Sequence, residues 1–120
     1  MTLPTGKVSP YDLAKLIFPQ LRSEDERMLV KPDIGEDASV IEMGDRVLVL
    51  SSDPITGAIE NPGWLSVHVN ANDIAAMGAS PEWFLVTLFL PEGSTSSDLE
   101  NIIKEVNDGC EELGISLEIG

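Results

Sequence analysis

The chain has 120 residues, enough for one domain with a real core and too few for two. Its 7 Lys and Arg residues against 21 Asp and Glu residues give a formal net charge of -14, which argues against binding to nucleic acid or to an anionic membrane. Cys110 is the single cysteine, so no internal disulfide forms, and the sequence shows no signal pattern or long apolar span; we therefore expect a cytoplasmic protein.

The first quarter of the chain predicts a tail followed by a helix and a linker. Residues 1–8 are typical of a tail, and residues 9–30 of a helix with a linker after it. Ser9 and Pro10 are suited to open this helix. Apolar side chains at helical spacing predict one buried face, formed by Leu13, Leu16, Ile17 and Leu21. The charged segment 23–27 is expected in solvent.

Two strand-like runs, 37–43 and 46–53, predict a β-hairpin. They are joined by Gly44 and Asp45, a pair that fits a two-residue turn. The turn predicts a register with Met43 opposite Arg46, Ile41 opposite Leu48, Ser39 opposite Leu50, Asp37 opposite Ser52 and Glu36 opposite Asp53. Acidic and hydroxyl side chains therefore collect at the open end of the hairpin.

Residues 63–80 predict a helix that is apolar around most of its circumference and buried on several sides. Asn61 is placed to cap it, Pro62 suits its first turn, and Gly78 is placed to end it. Three polar residues at offsets of four and seven line up along one edge, namely Ser66, Asn70 and Asp73. A carboxylate on such a helix must be paired, hydrogen-bonded or bound to a cation, and the alternative is an aspartate that caps a neighbouring loop.

The remaining sequence predicts a strand at 83–90, a helix that begins in the capping region 94–98, and a last strand at 115–119. Gly114 ends the helix. Its apolar stripe consists of Leu99, Ile102, Ile103, Val106, Cys110 and Leu113. Its acids are expected to form a solvated face, namely Glu100, Glu105, Asp108, Glu111 and Glu112.

The element order predicts an α+β fold, with a mixed, mostly antiparallel four-stranded sheet covered by helices. Residues 34–120 form its core. The second and third strands are apolar on both faces, so a single small chain does not supply all of their cover. A dimer that pairs sheet against sheet would supply it.

Four further residues have structural interpretations. His68 is expected to be a hydrogen-bonded histidine of the core or of an interface, although it could also touch a phosphate or a base. Cys110 lies in an apolar stripe and is expected to pack rather than to react. Trp64 and Trp83 are expected to fill the core or the dimer interface.

Acidic clusters at 35–37, 51–53 and 70–73 stand in or beside apolar segments. Mg²⁺ prefers a few carboxylates together with water and nucleotide phosphates, so a hairpin end near a helical aspartate suits a magnesium-nucleotide site. No Walker A motif or dinucleotide fingerprint occurs. The alternative is structural, with strand-end solvation for the acids and ordinary β-edge hydroxyls for the serines.

Three segments carry a family resemblance: IGEDASVIEMGDRVLVLSSDPI, GWLSVHVNANDIAAMGASPEWFLVTLFLPEG, and the helix that leads to GISLEIG. In order and spacing they resemble the N-terminal domain of the aminoimidazole ribonucleotide (AIR) synthase, or PurM-like, superfamily. The resemblance covers the chain from about Lys7 on. The superfamily includes thiamine-monophosphate kinase, selenophosphate synthetase, formylglycinamidine synthase and hydrogenase maturation proteins of the HypE type.

The resemblance implies that the acidic clusters bind Mg²⁺ and ATP, and it nominates no catalytic residue. The matching positions are the metal ligands Asp37, Asp53 and Asp73 and the cofactor-binding residues Ser51, Ser52 and Asn70, which would contact phosphate or support the ligands. The resemblance also implies a homodimer in which two copies pair their sheets into a shared β-barrel.

The chain departs from the family pattern in two places. It has GEDA where the family usually has GDDA, which leaves Glu36 outside the ligand set. The next nucleotide motif of the family, a Gly-Gly-acid-Thr type turn, would begin at Gly120, and both this motif and the whole C-terminal domain are expected to be absent from this chain.

Within the superfamily, the segment DPITGAIENPGWLSVHVNANDIAAMGA is most similar to archaeal AIR synthase-related, HypE-like proteins of hydrogenase expression and formation. These use ATP to dehydrate a carbamoylated thiol on a partner protein. Two alternatives stay open. One is a relative of thiamine-monophosphate kinase or selenophosphate synthetase, and the other is a non-catalytic module for dimerisation or partner docking.

Overall fold

The computed structural model describes residues 2–22, 24–58 and 60–119. Predictions that fall on Met1, Ser23 and Gly120 lie outside the described residues. The chain divides into two compact units, Met1–Leu50 and Ser51–Gly120. Across the described ranges, no helix combines the length and the hydropathy that a bilayer span requires.

The first unit begins with a short, irregular helical segment, α1, at residues 10–20. Its turns are α-helical over Pro10–Asp12, π-helical over Leu13–Ile17 and 3-10 over Phe18–Gln20. Ser9 caps it as predicted, because its side chain accepts a hydrogen bond from the Asp12 N–H at 3.1 Å. The predicted buried face is wrong: Leu16 and Ile17 are each 45% exposed, since a segment that changes helix type twice presents no continuous stripe.

The first unit also contains an antiparallel sheet in the order β1-β2-β3. Its strands are β1 (Met28–Val30), β2 (Ser39–Met43) and β3 (Arg46–Leu50). The hairpin of β2 and β3 has the predicted register, from Met43 opposite Arg46 to Ser39 opposite Leu50. Gly44 has a φ of 73°, which a tight turn of this kind requires. Both strands are shorter than predicted, because β2 begins at Ser39 and β3 ends at Leu50, so the predicted pairs of Asp37 with Ser52 and of Glu36 with Asp53 lie outside the ladder.

The second unit is organised by two packed helices, α2 (Pro62–Ala76) and α3 (Ser96–Leu113). At their contact, Val67 and Val106 have no exposed surface. Gly63 brings the two backbones together, because a Cβ at this position would collide with the carbonyl oxygen of Ile102 and lie 2.9 Å from Cβ of Glu105. The core around this contact consists of Val67, Ala71, Val106, Cys110 and Ile115, with Phe84 and Leu117 packed against it.

Helix α2 buries one stripe, and the prediction that it is buried on several sides is wrong. Its buried residues are Gly63, Val67 and Ala71, whereas Trp64 and Leu65 are each 36% exposed. The reason is that α3 is a single cylinder and covers only the face that it touches.

The helix ends follow local chemistry with one exception. Helix α3 starts in a capping box, in which the Asp98 carboxylate accepts hydrogen bonds from the Thr95 N–H and hydroxyl, each at 2.8 Å. These bonds lower the pKa of Asp98 below its ordinary value. Gly78 and Gly114 follow α2 and α3 with φ of 78° and 67°, as predicted. Asn61, however, does not cap α2 with its side chain.

Strands β4 (Trp83–Val86) and β5 (Ser116–Ile119) form a parallel pair in the second unit. Helix α3 lies between them in sequence and makes the crossover that a parallel pair requires. The structure therefore confirms the α+β class and corrects the prediction of one four-stranded sheet. The described residues instead form a three-stranded antiparallel sheet, which gains β1 from the expected linker, and a two-stranded parallel sheet.

Replacing Gly63 by alanine tests the close helix contact. We expect Gly63→Ala to lower the free energy of unfolding by about 1–3 kcal/mol, because its methyl group must displace the backbone of α3. Urea denaturation followed by circular dichroism measures the change. In an open helix the same substitution is stabilising by up to about 1 kcal/mol, so an increase in stability would contradict the close contact.

Candidate functional site

The polar edge of α2, formed by Ser66, Asn70 and Asp73, is half-buried throughout. Its spacing of four and seven residues puts the three side chains along one side of the helix. The buried stripe of Gly63, Val67 and Ala71 is occupied by α3. The polar edge is therefore separate from the helix contact and is left to bind another segment.

That segment is 51–53, which follows β3 directly in sequence. The Ser51 hydroxyl donates a hydrogen bond to Oδ2 of Asp73 at 3.1 Å. The Asp53 N–H donates to Oδ1 of Asn70 at 2.7 Å, and Nδ2 of Asn70 donates to the Asp53 carbonyl at 3.0 Å. Two predicted clusters, 51–53 and 70–73, are thus brought together by specific contacts.

These contacts leave acidic groups at the surface. Asp53 is exposed, and both of its hydrogen bonds use backbone atoms. Asp73 is half-buried and accepts a bond from a hydroxyl, which is the kind of neighbour that orients a metal-ligating carboxylate. Ser52 is exposed. Segment 51–53 and the polar edge of α2 therefore present oxygen atoms of the type that a hard cation prefers.

Asp37 lies in the first unit, two residues before β2, and is exposed. Over residues 2–22, 24–58 and 60–119, no group of three or more His, Cys, Asp or Glu side chains is arranged to hold a metal ion. The assignment of Asp37, Asp53 and Asp73 as metal ligands stays a prediction.

Two acids of α3 have roles that the sequence interpretation missed. Glu105 was expected in the solvated face, yet its Oε2 accepts the Gly63 N–H at 2.9 Å and so satisfies the first turn of α2. Glu112 accepts hydrogen bonds from Nε1 of Trp64 at 3.0 Å and pairs with Nε2 of His68 at 3.2 Å. The spacing of seven between Glu105 and Glu112 is the signal that puts both acids on one edge, next to the apolar stripe.

His68 and Trp64 form a stacked pair with ring centroids 3.8 Å apart. Because His68 also pairs with Glu112 of α3, it supports the contact between α2 and α3. This agrees with the expectation of a hydrogen-bonded histidine. Cys110 is 2% exposed, and burial raises the pKa of its thiol, which suits packing rather than nucleophilic chemistry.

A shallow groove of about 260 Å³ opens in the second unit and is lined by Asn61, Trp64, Glu105 and Asp108. It lies at the start of α2, whereas Asn70 and Asp73 lie in the second half of that helix. The groove and the polar edge share no residue, and the hydrogen bonds of segment 51–53 identify the polar edge as the candidate site.

Comparison with known proteins gives one family and several relatives. Residues 35–120 match the N-terminal domain of AIR synthase related proteins. The chain is 33% identical over 90 residues to a putative hydrogenase expression/formation protein of Methanocaldococcus jannaschii, covering 71% of this chain and 27% of the relative. It is 30% identical over 95 residues to a thiamine-monophosphate kinase of Pyrococcus horikoshii, covering 72% and 31%.

A selenide, water dikinase of Carboxydothermus hydrogenoformans is 32% identical over 114 residues, which cover 92% of this chain and 33% of the relative. The chain thus spans about a third, or less, of the length of these three relatives.

A serine pair tests the contact between segment 51–53 and α2. Ser51→Ala removes the bond to Asp73, and we expect the free energy of unfolding to fall by about 1 kcal/mol, since a half-buried acceptor loses its donor. The neighbouring Ser52→Ala, at an exposed position, is the matched control and is expected to change stability by less than about 0.5 kcal/mol. Urea denaturation of both variants measures the two changes in the free energy of unfolding. Equal effects would contradict the specific contact.

Proposed function

Because the chain belongs to the family of AIR synthase related proteins, through their N-terminal domain, we propose that it is the Mg²⁺- and ATP-binding and dimerisation domain of an ATP-dependent enzyme. The type that we propose is HypE-like, that is, hydrogenase maturation. The observation that carries the proposal is the attachment of the acidic segment 51–53 to the polar edge of α2 through Ser51, Asp53, Asn70 and Asp73.

The residues at this edge fit a magnesium-nucleotide complex in their chemistry. Asp53 and Asp73 provide hard carboxylate oxygens, and Mg²⁺ binds through one or two carboxylates plus the phosphates of a substrate. Ser51 and Ser52 provide hydroxyls. The two carboxylates lie on segments that are joined by hydrogen bonds, which is the placement that a shared cation requires.

Each residue then has a definable task. Asp53 and Asp73 hold the metal, and the hydroxyl of Ser51 orients Asp73 by its bond to Oδ2. The exposed Ser52 is available to a phosphate oxygen. Asp37 is proposed as a metal ligand on the resemblance alone. Bound Mg²⁺-ATP supplies a transferable phosphoryl group whose charge the metal neutralises, and such reactions depend on positioning more than on covalent chemistry.

The type within the family rests on sequence similarity. The putative hydrogenase expression/formation protein of M. jannaschii is 33% identical to the chain. A HypE-like protein acts on a carbamoylated thiol of a partner protein, so we propose a protein partner for the complete enzyme. Relatives named thiamine-monophosphate kinase and selenide, water dikinase, at 30% and 32% identity, favour a small-molecule kinase as the second candidate.

The dimer is proposed from an apolar row in the second unit. Trp83, Leu85 and Phe89 are 63%, 75% and 93% exposed, while the alternate residues Phe84 and Val86 are half-buried. The alternation is that of an extended segment with one face against its own core and one face without cover. Large adjacent apolar side chains in water favour association. We propose that a second copy of the chain covers this row, and that the two copies form the shared β-barrel that the resemblance implies.

A nucleotide titration tests the metal site. We expect ATP to bind saturably in the presence of Mg²⁺ and more weakly without it. Asp53→Asn and Asp73→Asn are each expected to lower the Mg²⁺-dependent affinity by at least about tenfold, or about 1.4 kcal/mol, because each removes one negative charge from the ligands of the metal. Isothermal titration calorimetry measures the affinity, and circular dichroism reports whether the fold is intact.

The matched control is Asp108→Asn, which makes the same change on the surface of α3, where Asp108 pairs with Lys104. It is expected to leave the affinity unchanged. If Asp73→Asn keeps the full affinity and mainly loses stability, Asp73 is a structural residue and the proposed site is wrong.

The apolar row makes a separate prediction about oligomeric state. Leu85→Asp puts a charge in the centre of the row and is expected to convert a dimer into a monomer, as measured by sedimentation velocity. Leu113→Asp makes the same change at a 40% exposed position at the end of α3 and is expected to leave the dimer intact. A parent chain that sediments as a monomer at every concentration would contradict the proposed dimer.

A further inference from the structure

The side chain of Asn70 is committed to protein contacts. A carboxamide offers one acceptor oxygen and two N–H donors. In Asn70 the oxygen accepts the Asp53 N–H at 2.7 Å, and the nitrogen donates to the Asp53 carbonyl at 3.0 Å and to the Ser66 carbonyl at 2.8 Å. Both donors are therefore in use. A phosphate oxygen, which needs a donor, would have to replace one of these bonds.

The two bonds to Asp53 act on both sides of a single residue. Its N–H and its carbonyl are paired by the same side chain, much as a neighbouring strand would pair them. Pro54 follows directly and restricts Asp53 to an extended conformation. Together these constraints fix the backbone of Asp53, and with it the direction of its Cα–Cβ bond.

The side chain of Asp53, unlike its backbone, takes no part in the hydrogen bonds to Asn70. The residue is exposed, and the hydrogen bonds that hold it to α2 both use main-chain atoms. Its carboxylate thus starts from a fixed position and stays accessible from solvent. This arrangement suits a ligand that must be aimed before a cation arrives, because a pre-positioned ligand loses less conformational entropy on binding.

From this geometry we propose that Asn70 is a positioning residue, which fixes the backbone of Asp53 so that the Asp53 carboxylate is aimed at a divalent cation. Asn70 itself contacts neither the cation nor a phosphate. The inference rests on the proposed function for the role of the Asp53 carboxylate, and of the two roles expected for Asn70 it selects support of a metal ligand rather than contact with phosphate.

The first measurement needs no ligand. In the ¹⁵N-labelled chain, NMR gives the water-exchange rate of the Asp53 amide. We expect Asn70→Ala to accelerate this exchange by roughly tenfold, because the amide loses its acceptor. Alanine is a better helix former than asparagine, so α2 is expected to stay folded. The buried amide of Val106 in α3 reports on the fold and is expected to exchange at the parent rate.

Two further variants make the test specific. Asn70→Asp keeps an acceptor oxygen for the Asp53 amide but loses both donors, and it is expected to retain most of the protection of that amide. Asn107→Ala makes the same asparagine deletion at an exposed position on α3 and is expected to leave the Asp53 amide unchanged.

The second measurement uses Mn²⁺ as the probe, with binding followed by electron paramagnetic resonance in the absence of nucleotide. Asn70→Ala is expected to weaken Mn²⁺ binding by roughly tenfold, the effect typical of residues that orient a metal ligand. Metal-free ATP affinity, measured by calorimetry, is expected to be the same in Asn70→Ala and the parent chain.

The outcomes separate the inference from the proposed function. An unchanged Asp53 exchange rate in Asn70→Ala overturns the inference, as does a loss of metal-free ATP affinity, which would make Asn70 a phosphate contact. Faster exchange with parent-level Mn²⁺ affinity also overturns it. A parent chain that binds neither Mn²⁺ nor Mg²⁺-ATP overturns the proposed function, and faster exchange in Asn70→Ala would then support the backbone contact alone.

Discussion

The close contact of α2 with α3 is the constraint on which the second unit depends. Glycine at positions 63 and 109 lets the helices approach until Val67 and Val106 lose all contact with solvent. Once that stripe of α2 is occupied, the direction of every other side chain on the helix follows from the helical period. The polar edge takes no part in that apolar contact and is placed by it, so the core determines where the candidate site lies.

Charge explains why polar contacts supplement this apolar contact. With a formal net charge of -14, the chain carries acids on all three helices and on strands β2 and β5, and the helix interface gives two of them a partner. Glu105 satisfies an N–H at the start of α2, and Glu112 accepts from Trp64 and His68. The candidate site follows a different rule, since Asp53 is attached through its backbone and keeps its carboxylate for solvent or a cation.

Local chemistry is where sequence and structure agree. The register of the β2–β3 hairpin follows from its two-residue turn, and the ends of α2 and α3 follow from Gly78 and Gly114. Ser9 caps α1 and a capping box opens α3 because these motifs involve residues within three positions of each other. The alignment of the polar edge also depended only on spacing. Such features require no knowledge of distant contacts.

The sequence by itself thus determined the type of every described element except β1, the hairpin register, the C-terminal ends of α2 and α3, the polar edge of α2 and the family resemblance. Only the tertiary structure decided which groups meet across the chain: that Glu105 rather than Asn61 satisfies the start of α2, that strands β4 and β5 pair in parallel, and that Asn70 binds the backbone of Asp53. The physical reason is the sequence distance between the residues that interact. Propensity and periodicity describe neighbours within a few residues, whereas a hydrogen bond between residues 53 and 70 or 63 and 105 exists only after packing has brought two elements together.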